Sequence, residues 1–241
     1  MRQGTAPRLA DRMWGAMRPV ALGAVFGVSL LGCGGDGGGD DNPPEPSSAA
    51  GTCRGVLSAE AATALDFLAG TKSFSAGDTE NTPGLPKVAA ELSDDYERLG
   101  GSANPDLVPA CWIRRSGGAV AAEIEFGMAT EQAVVSTSKV PNLVHYDAGR
   151  GAFANSKFTY LYFDCVGPKM AGSSDGDPAV VFGKLHNRVQ PGEEDEPKGG
   201  PGPIREANLT VLHSVAYKLA EELDCRDDGG LTEKVTLNTG S

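Results

Sequence analysis

Two short motifs place serines where a hydrolase could use one as a nucleophile. Gly172-Ser173-Ser174-Asp175-Gly176 matches the G-x-S-x-G elbow, and Ser136-Thr137-Ser138-Lys139 matches the S-x-x-K signature of penicillin-recognising enzymes. An elbow must directly follow a strand and open a helix, whereas Ser174 lies in a stretch rich in glycine and serine. The S-x-x-K enzymes also carry S-D-N and K-T-G elements, which this sequence lacks, and Val134-Val135 favours a strand. We therefore predict no catalytic residue.

The residues that could bind a metal ion are too scattered to form a recognisable site. Asp175 and Asp177 resemble the start of a calcium-binding loop, but position twelve of that loop, which needs a glutamate, is His186. His145, His186 and His213 show no ligand spacing, and the five cysteines form no C-x-x-C pair. The sequence predicts no metal and no cofactor.

Three aromatic residues, Phe158, Tyr160 and Tyr162, alternate along a segment that is rich in β-forming residues. In a strand they share one face. If exposed, that face is a stacking platform for sugars or for a protein partner. The commoner arrangement is a core face under a helix. Because Leu161, Phe163 and Cys165 make the opposite face apolar as well, we expect a central strand that is covered on at least one side.

A second alternating set is cationic: Lys184, His186 and Arg188. On an acidic protein such a row could bind an anion. The alternative, which we favour, is cross-strand pairing with carboxylates such as Glu123 and Glu125. The three cations and the three aromatic residues form our candidate binding surface.

Cys33 has the clearest predicted chemistry, because it follows a segment typical of an export signal. Four arginines precede an uncharged apolar run, Val20 to Leu31. This run is shorter than a typical transmembrane helix. Small Gly32 before Cys33 resembles a bacterial lipobox, in which the thiol is acylated with chains such as palmitate. We predict a signal peptide at 1–32, with a lipid anchor on Cys33 at the extracytoplasmic face of the cell membrane. Translation could start at three methionines, Met1, Met13 or Met17.

The other four cysteines, Cys53, Cys111, Cys165 and Cys225, suit an oxidising compartment, where two disulfides are expected. Four cysteines allow three pairings. We favour Cys53–Cys111 and Cys165–Cys225, because each pair joins an element near one end of the domain to a strand.

The chain is acidic, with a formal net charge of −11. Removal of 1–32, which carries four arginines and one aspartate, makes the mature chain more acidic still. This balance argues against nucleic acid and other polyanions as partners.

The periodicity of the apolar residues predicts the elements. After a Gly-, Pro- and Asp-rich tether at 33–52, a single domain is expected over 53–241, with the fold beginning near Cys53. Helices are predicted over 58–68, 85–99 and 203–224. In the last of these, His213 lies at the edge of the apolar stripe, where we interpret it as an ordinary boundary residue. Strands are predicted at 111–113, 120–128, 157–166 and 180–189, and weaker ones at 134–138, 143–147 and 231–237.

Helices, then strands, then a helix indicate an α+β fold. We predict an antiparallel sheet of about five to six strands, with two N-terminal helices and one long C-terminal helix packed on it.

The arrangement resembles a broad group of actinobacterial lipid-anchored extracytoplasmic proteins of unknown function. The resemblance rests on Cys33 after an apolar signal, Cys53 with Val56-Leu57-Ser58-Ala59-Glu60, Cys111-Trp112 and a late helix ending in Cys225. It implies an α+β envelope domain that senses or binds, with no established active site.

Two function classes follow. The first is a lipid-anchored binding or accessory module of the cell envelope, whose partner is an envelope protein, a small molecule or a carbohydrate. The second is an extracytoplasmic hydrolase acting on cell-wall material. A cleft with a histidine and carboxylates would favour the hydrolase, and an exposed apolar patch at Phe158, Tyr160 and Tyr162 would favour binding.

Overall fold

Six antiparallel strands form one sheet in the computed structural model, which describes residues 46–75, 83–100, 106–189, 192 and 197–240. These residues belong to a unit that spans 42–241. The spatial order is β1-β2-β6-β5-β4-β3. The strands are β1 Val108–Arg114, β2 Val120–Ala129, β3 Val144–Tyr146, β4 Gly151–Ala154, β5 Phe158–Cys165 and β6 Ala179–Asn187.

Within the described residues, four α-helices accompany the sheet: α1 Ala59–Ala69, α2 Leu85–Leu99, α3 Glu131–Thr137 and α4 Pro201–Glu222. Two 3-10 helices, Ala49–Gly55 and Arg226–Gly230, lie near the ends. The Ser58 hydroxyl accepts the Ala61 N–H at 3.1 Å and so begins α1, and Gly70 ends it in the left-handed region at φ 64°. The predicted α+β class is confirmed. Within the described residues, no helix has the length and apolar content that crossing a membrane requires.

The long helix α4 supplies the centre of the core. Leu209, Leu212, Val215 and Leu219 are all fully buried, and α4 contacts β4, β5 and β6 as well as α1 and α2. Gly183 in β6 makes the approach close, because a Cβ there would lie 3.3 Å from Leu212 Cδ1 and 2.7 Å from Phe126 Cε1. A larger residue at this position would displace the Phe126 ring and crowd Leu212 of α4.

A polar contact fixes the position of α4 along the sheet. Asn208 is fully buried, and its Oδ1 accepts a hydrogen bond from Asn187 Nδ2 at 3.2 Å. Its own amide donates to the Ser156 carbonyl at 3.2 Å. Because a buried amide without partners is destabilising, these bonds select one register of the helix on the sheet.

The two disulfides pair as we predicted. Cys53–Cys111 joins the first 3-10 helix to β1, with a Cα–Cα distance of 5.3 Å. Cys165–Cys225 joins the end of β5 to the residue after α4's last turn, with a Cα–Cα distance of 4.8 Å. Each cross-link therefore connects the helical layer or its flanks to the sheet.

The strand predicted at 134–138 is wrong, because the structure places those residues in and just after α3. Val134 is buried among Phe153, Tyr162 and Val180 on the sheet face opposite to α4. This packing outweighs the preference of β-branched residues for strands. The strand β4 was not predicted, because Gly-Ala-Phe-Ala has little β propensity, yet Ala152 and Ala154 are completely buried.

Both ends of the domain also differ from expectation. The fold begins earlier than Cys53, since Ser47 already exchanges backbone hydrogen bonds of 2.8 and 2.9 Å with Phe74. The tail strand predicted at 231–237 is absent from the described tail, where Val235 and Leu237 instead line a groove with α1 and α4. Only Thr239 pairs with the sheet, at Tyr146 of β3.

The placement of His213 at the edge of the apolar stripe is likewise wrong. Its side chain is only 3 % exposed within α4. Burial lowers the pKa of its imidazole from 6.5 to about 4, because the charged form loses hydration. The ring is therefore neutral at pH 7.

The Cys165–Cys225 bond closes a segment with a sequence separation of 60, so its removal should destabilise the fold through the unfolded state. We expect the Cys165→Ser/Cys225→Ser variant to lose on the order of 4 kcal/mol of unfolding free energy at most, measured by urea titration. The matched control is Cys53→Ser/Cys111→Ser, with a separation of 58, which should lose a similar amount. Wild-type stability in the first variant would contradict the stabilising role.

Protonation of His213 should make folding pH-dependent. Its folded-state pKa of about 4 lies below the unfolded value of 6.5, so stability is lost as pH falls from about 6.5 to about 4. The loss should approach about 3 kcal/mol. Carboxylates titrate in the same range, so the test compares urea unfolding of wild type and His213→Gln. A pH slope that is equal in the two proteins would refute this assignment.

Candidate binding face of the sheet

The sheet has two unlike faces. Leu161 and Phe163 of β5 and Val181 and Leu185 of β6 lie in the core beneath the helical layer. The alternate residues of the same strands point the other way. The candidate surface residues lie on that second face, and they are Phe158, Tyr160 and Tyr162 of β5 with Lys184 and His186 of β6.

Strand pairing aligns residues from distant parts of the chain into rows on this face. One row runs Trp112, Glu123, His186, Phe158 across β1, β2, β6 and β5. The next row runs Glu125, Lys184, Tyr160, Phe153, His145 across β2, β6, β5, β4 and β3.

Seven rings on this face form a continuous series, and we call them the aromatic face. Consecutive ring centroids lie 4.4, 6.3, 6.0, 5.0, 6.2 and 5.0 Å apart. All but one of these contacts are stacked or tilted, and the Phe153–Tyr162 contact is edge-on. In order the rings are His186, Phe158, Tyr160, Phe182, Tyr162, Phe153 and His145.

Part of the aromatic face is covered and part of it is accessible. Helix α3 packs over Tyr162, which is buried and shares a 2.7 Å hydrogen bond between its hydroxyl and Thr137 Oγ1. Burial raises the pKa of Tyr162. Phe158 and Tyr160 are half-buried, and Trp112 on the neighbouring edge strand is 44 % exposed. A ligand could therefore contact the β1–β2–β6–β5 side of this face.

The cationic row is neutralised by carboxylates of β2, as we favoured from the sequence. Lys184 Nζ lies 2.9 Å from Glu125 Oε2, and Arg188 Nη2 lies 2.5 Å from Glu123 Oε2. His186 Nδ1 is 3.9 Å from the same Glu123 oxygen. The row therefore presents paired charges beside the rings rather than an excess of positive charge.

His186 is the most constrained member of the row. Its ring lies against Phe158 with a centroid distance of 4.4 Å, and its Nε2 is buried without a hydrogen-bond partner among the described residues. Burial is the largest influence that lowers the pKa of His186, followed by the positive charge of Arg188. Glu123 acts in the opposite direction.

Ser174 and Asp175 lie in the connection between β5 and β6, whereas Ser136 and Thr137 belong to α3, which packs over Tyr162. Ser174 is exposed in a tight turn closed by its pairing with Asp177, so G-x-S-x-G is not a strand–helix elbow. Ser136 and Lys139 are exposed in and just beyond α3, which is a helix and not the expected strand. Asp175 forms an ion pair with Arg226. The described part of the chain contains no cluster of His, Cys, Asp or Glu that could hold a metal ion.

Four members of the surface were not predicted: Trp112, His145, Phe153 and Phe182. The signal for Phe182 was present, because it precedes Lys184 by two residues and so shares its face. The other three come from β1, β3 and β4, and only the pairing of those strands brings them beside β5 and β6.

The predicted anchor, Cys33, lies outside the described residues, as do the signal segment 1–32 and most of the tether 33–52. No protein-family model, curated protein or solved structure matches the chain.

The charges around His186 should move its pKa in opposite directions. We expect Glu123→Gln to lower the pKa of His186, since a favourable negative charge is lost, and Arg188→Gln to raise it, since a repulsive positive charge is lost. NMR titration of the His186 ring measures both shifts. Lys218→Gln changes an exposed side chain of α4 and should leave the pKa of His186 unchanged. Shifts of the same sign in the first two variants would contradict the arrangement.

Proposed function

We propose that this protein is a lipid-anchored binding or accessory module of the cell envelope, held at the extracytoplasmic face of the membrane through Cys33. The observation that carries the binding function is the aromatic face. Its half-buried rings lie beside paired charges, and the exposed Trp112 lies on the same side of the sheet. Aromatic side chains that are partly exposed in this way are typical anchors for protein or carbohydrate partners.

The charge of the surface narrows the class of partner. Lys184 and Arg188 are matched by Glu125 and Glu123, and the whole chain is acidic. Nucleic acid is therefore not the proposed partner, because it requires an excess of positive charge. An envelope protein or a glycan fits, since both combine apolar contact with hydrogen bonds to charged groups.

The anchor sets how far the module can reach. Ser47, the first residue paired within the fold, lies fourteen positions after Cys33. A chain of that length spans at most about 50 Å when fully extended. We propose that this length limits how far Ser47, where the fold begins, can lie from the membrane surface.

The hydrolase alternative has one supporting feature, a polar cavity lined by His145, Asp147 and His213. The side chains of His145 and Asp147 are, however, packed against Gly240, where a Cβ would lie 2.4 Å from His145 Nδ1 and 2.9 Å from Asp147 Oδ1. Binding at the aromatic face is the function that the geometry favours.

Site-specific photo-cross-linking in living cells tests the proposal. A photoreactive phenylalanine analogue replaces Trp112 on the aromatic-face side, and in a second strain replaces Leu237, which is 37 % exposed beside the helices. We expect one defined adduct from position 112 and none from position 237, and loss of the adduct when Tyr160→Ala is added. Tyr160 suits this test better than Tyr162, because Tyr162 is buried and bonded to Thr137.

The same strains test the anchor separately. Wild-type protein should sediment with membranes, and Cys33→Ala should be released in soluble form with its fold intact. Equal adducts from positions 112 and 237 would contradict a binding role for the aromatic face. Membrane association that survives Cys33→Ala would contradict the lipid anchor.

A further inference from the structure

A polar cavity of about 320 Å³ lies where three separate segments meet. Its walls come from the turn between β3 and β4, from α4 and from the segment after the second 3-10 helix. Asp147 and Arg150 belong to the turn, His213 to α4, and Thr232 and Thr236 to the last segment. The aromatic face ends beside it, because His145 also lines the cavity.

His213 forms the α4 wall of this cavity. The residue is only 3 % exposed, and within the described residues its side chain makes no hydrogen bond. The ring is neutral at pH 7, so it offers one N–H donor and one nitrogen acceptor. A ligand hydroxyl in the cavity can accept a hydrogen bond from the ring N–H or donate one to the other ring nitrogen.

The charges of the cavity disfavour an anionic ligand. Arg150 is already paired with Asp164 at 2.5 Å and with Glu131, so it does not attract an anion strongly. Asp147 is the remaining charged group on the wall, and Arg150 faces the same space. Thr236 adds an exposed hydroxyl, whereas the hydroxyl of Thr232 donates to the Lys234 carbonyl at 2.6 Å. These groups suit a ligand that both donates and accepts hydrogen bonds.

The turn that shapes the cavity is held in place by close packing. Gly149 has φ 57°, and a Cβ there would lie 2.5 Å from the Tyr162 carbonyl oxygen. The Arg150 N–H donates to the same carbonyl at 2.8 Å. On the other side, Thr239 pairs with Tyr146 at the edge of β3. The cavity is therefore formed before any ligand arrives, which favours binding of a small molecule.

We propose that this cavity binds a small, uncharged, hydroxyl-rich molecule about the size of one sugar ring, oriented by His213 and Thr236. The volume lies at the lower end of the range for small-molecule sites, which excludes an oligosaccharide bound along its length.

Titration of the purified domain with single sugars tests the proposal. The neutral probes are glucose, galactose, mannose and N-acetylglucosamine, and the charged probes of equal ring size are glucosamine and glucuronate. Each is added up to tens of millimolar while the ring nitrogens of His213 are followed by NMR. We expect a saturable shift with at least one neutral sugar and weaker binding of both charged sugars.

Two isosteric variants locate the site without disturbing the core. Thr236→Val removes a hydroxyl on the cavity wall, and we expect the dissociation constant to rise about threefold to tenfold, as for one lost hydrogen bond. Thr239→Val removes an exposed hydroxyl outside the cavity and should leave the constant unchanged. The proposal is overturned if no neutral sugar moves the His213 signals, if a charged sugar binds more tightly, or if both variants weaken binding equally.

Discussion

The burial of α4 against the three strands β4, β5 and β6 is the constraint on which the rest of the structure depends. It is possible only because Gly183 leaves room for Leu212 and because Asn208 finds polar partners at Asn187 and Ser156. Once one face of the central strands is committed to this helix, the period of two assigns their alternate residues to the opposite face. The composition of the aromatic face is thus a consequence of how the core is built.

Two kinds of contact stabilise that second face in water. Ring contacts bury apolar area between neighbouring strands, and the Lys184–Glu125 and Arg188–Glu123 pairs leave the charges solvated and matched. The short helix α3 completes the shielding at one end, through Val134 and the hydroxyl of Thr137. The accessible end, beside Trp112, is the part of the sheet that a partner can approach.

Strongly periodic segments and paired cysteines could be predicted from the sequence, and weak or context-dependent segments could not. Helix α2 was predicted at its observed bounds because its apolar residues repeat at three- and four-residue steps and Gly100 stops it. Val134 was assigned to a strand on its β-branched neighbours alone, whereas its contacts with Tyr162 decide the outcome. His213 had no local signal of burial, and the cavity it lines is assembled from three segments far apart in sequence. The surface residues of β5 and β6 other than Phe182 were predicted from alternation, whereas Trp112, His145 and Phe153 depended on strand order.

The order of the disulfides affects how such a chain can mature. The first domain cysteine pairs with the second and the third with the fourth, so neither cross-link encloses or interleaves with the other. A polypeptide that emerges from a translocation channel N-terminus first exposes each cysteine next to its native partner, with no rival thiol from the other pair yet between them. Oxidation in order of appearance yields the native connectivity directly. If the chain is exported as proposed, we therefore expect little need for an isomerase that reshuffles wrong pairs.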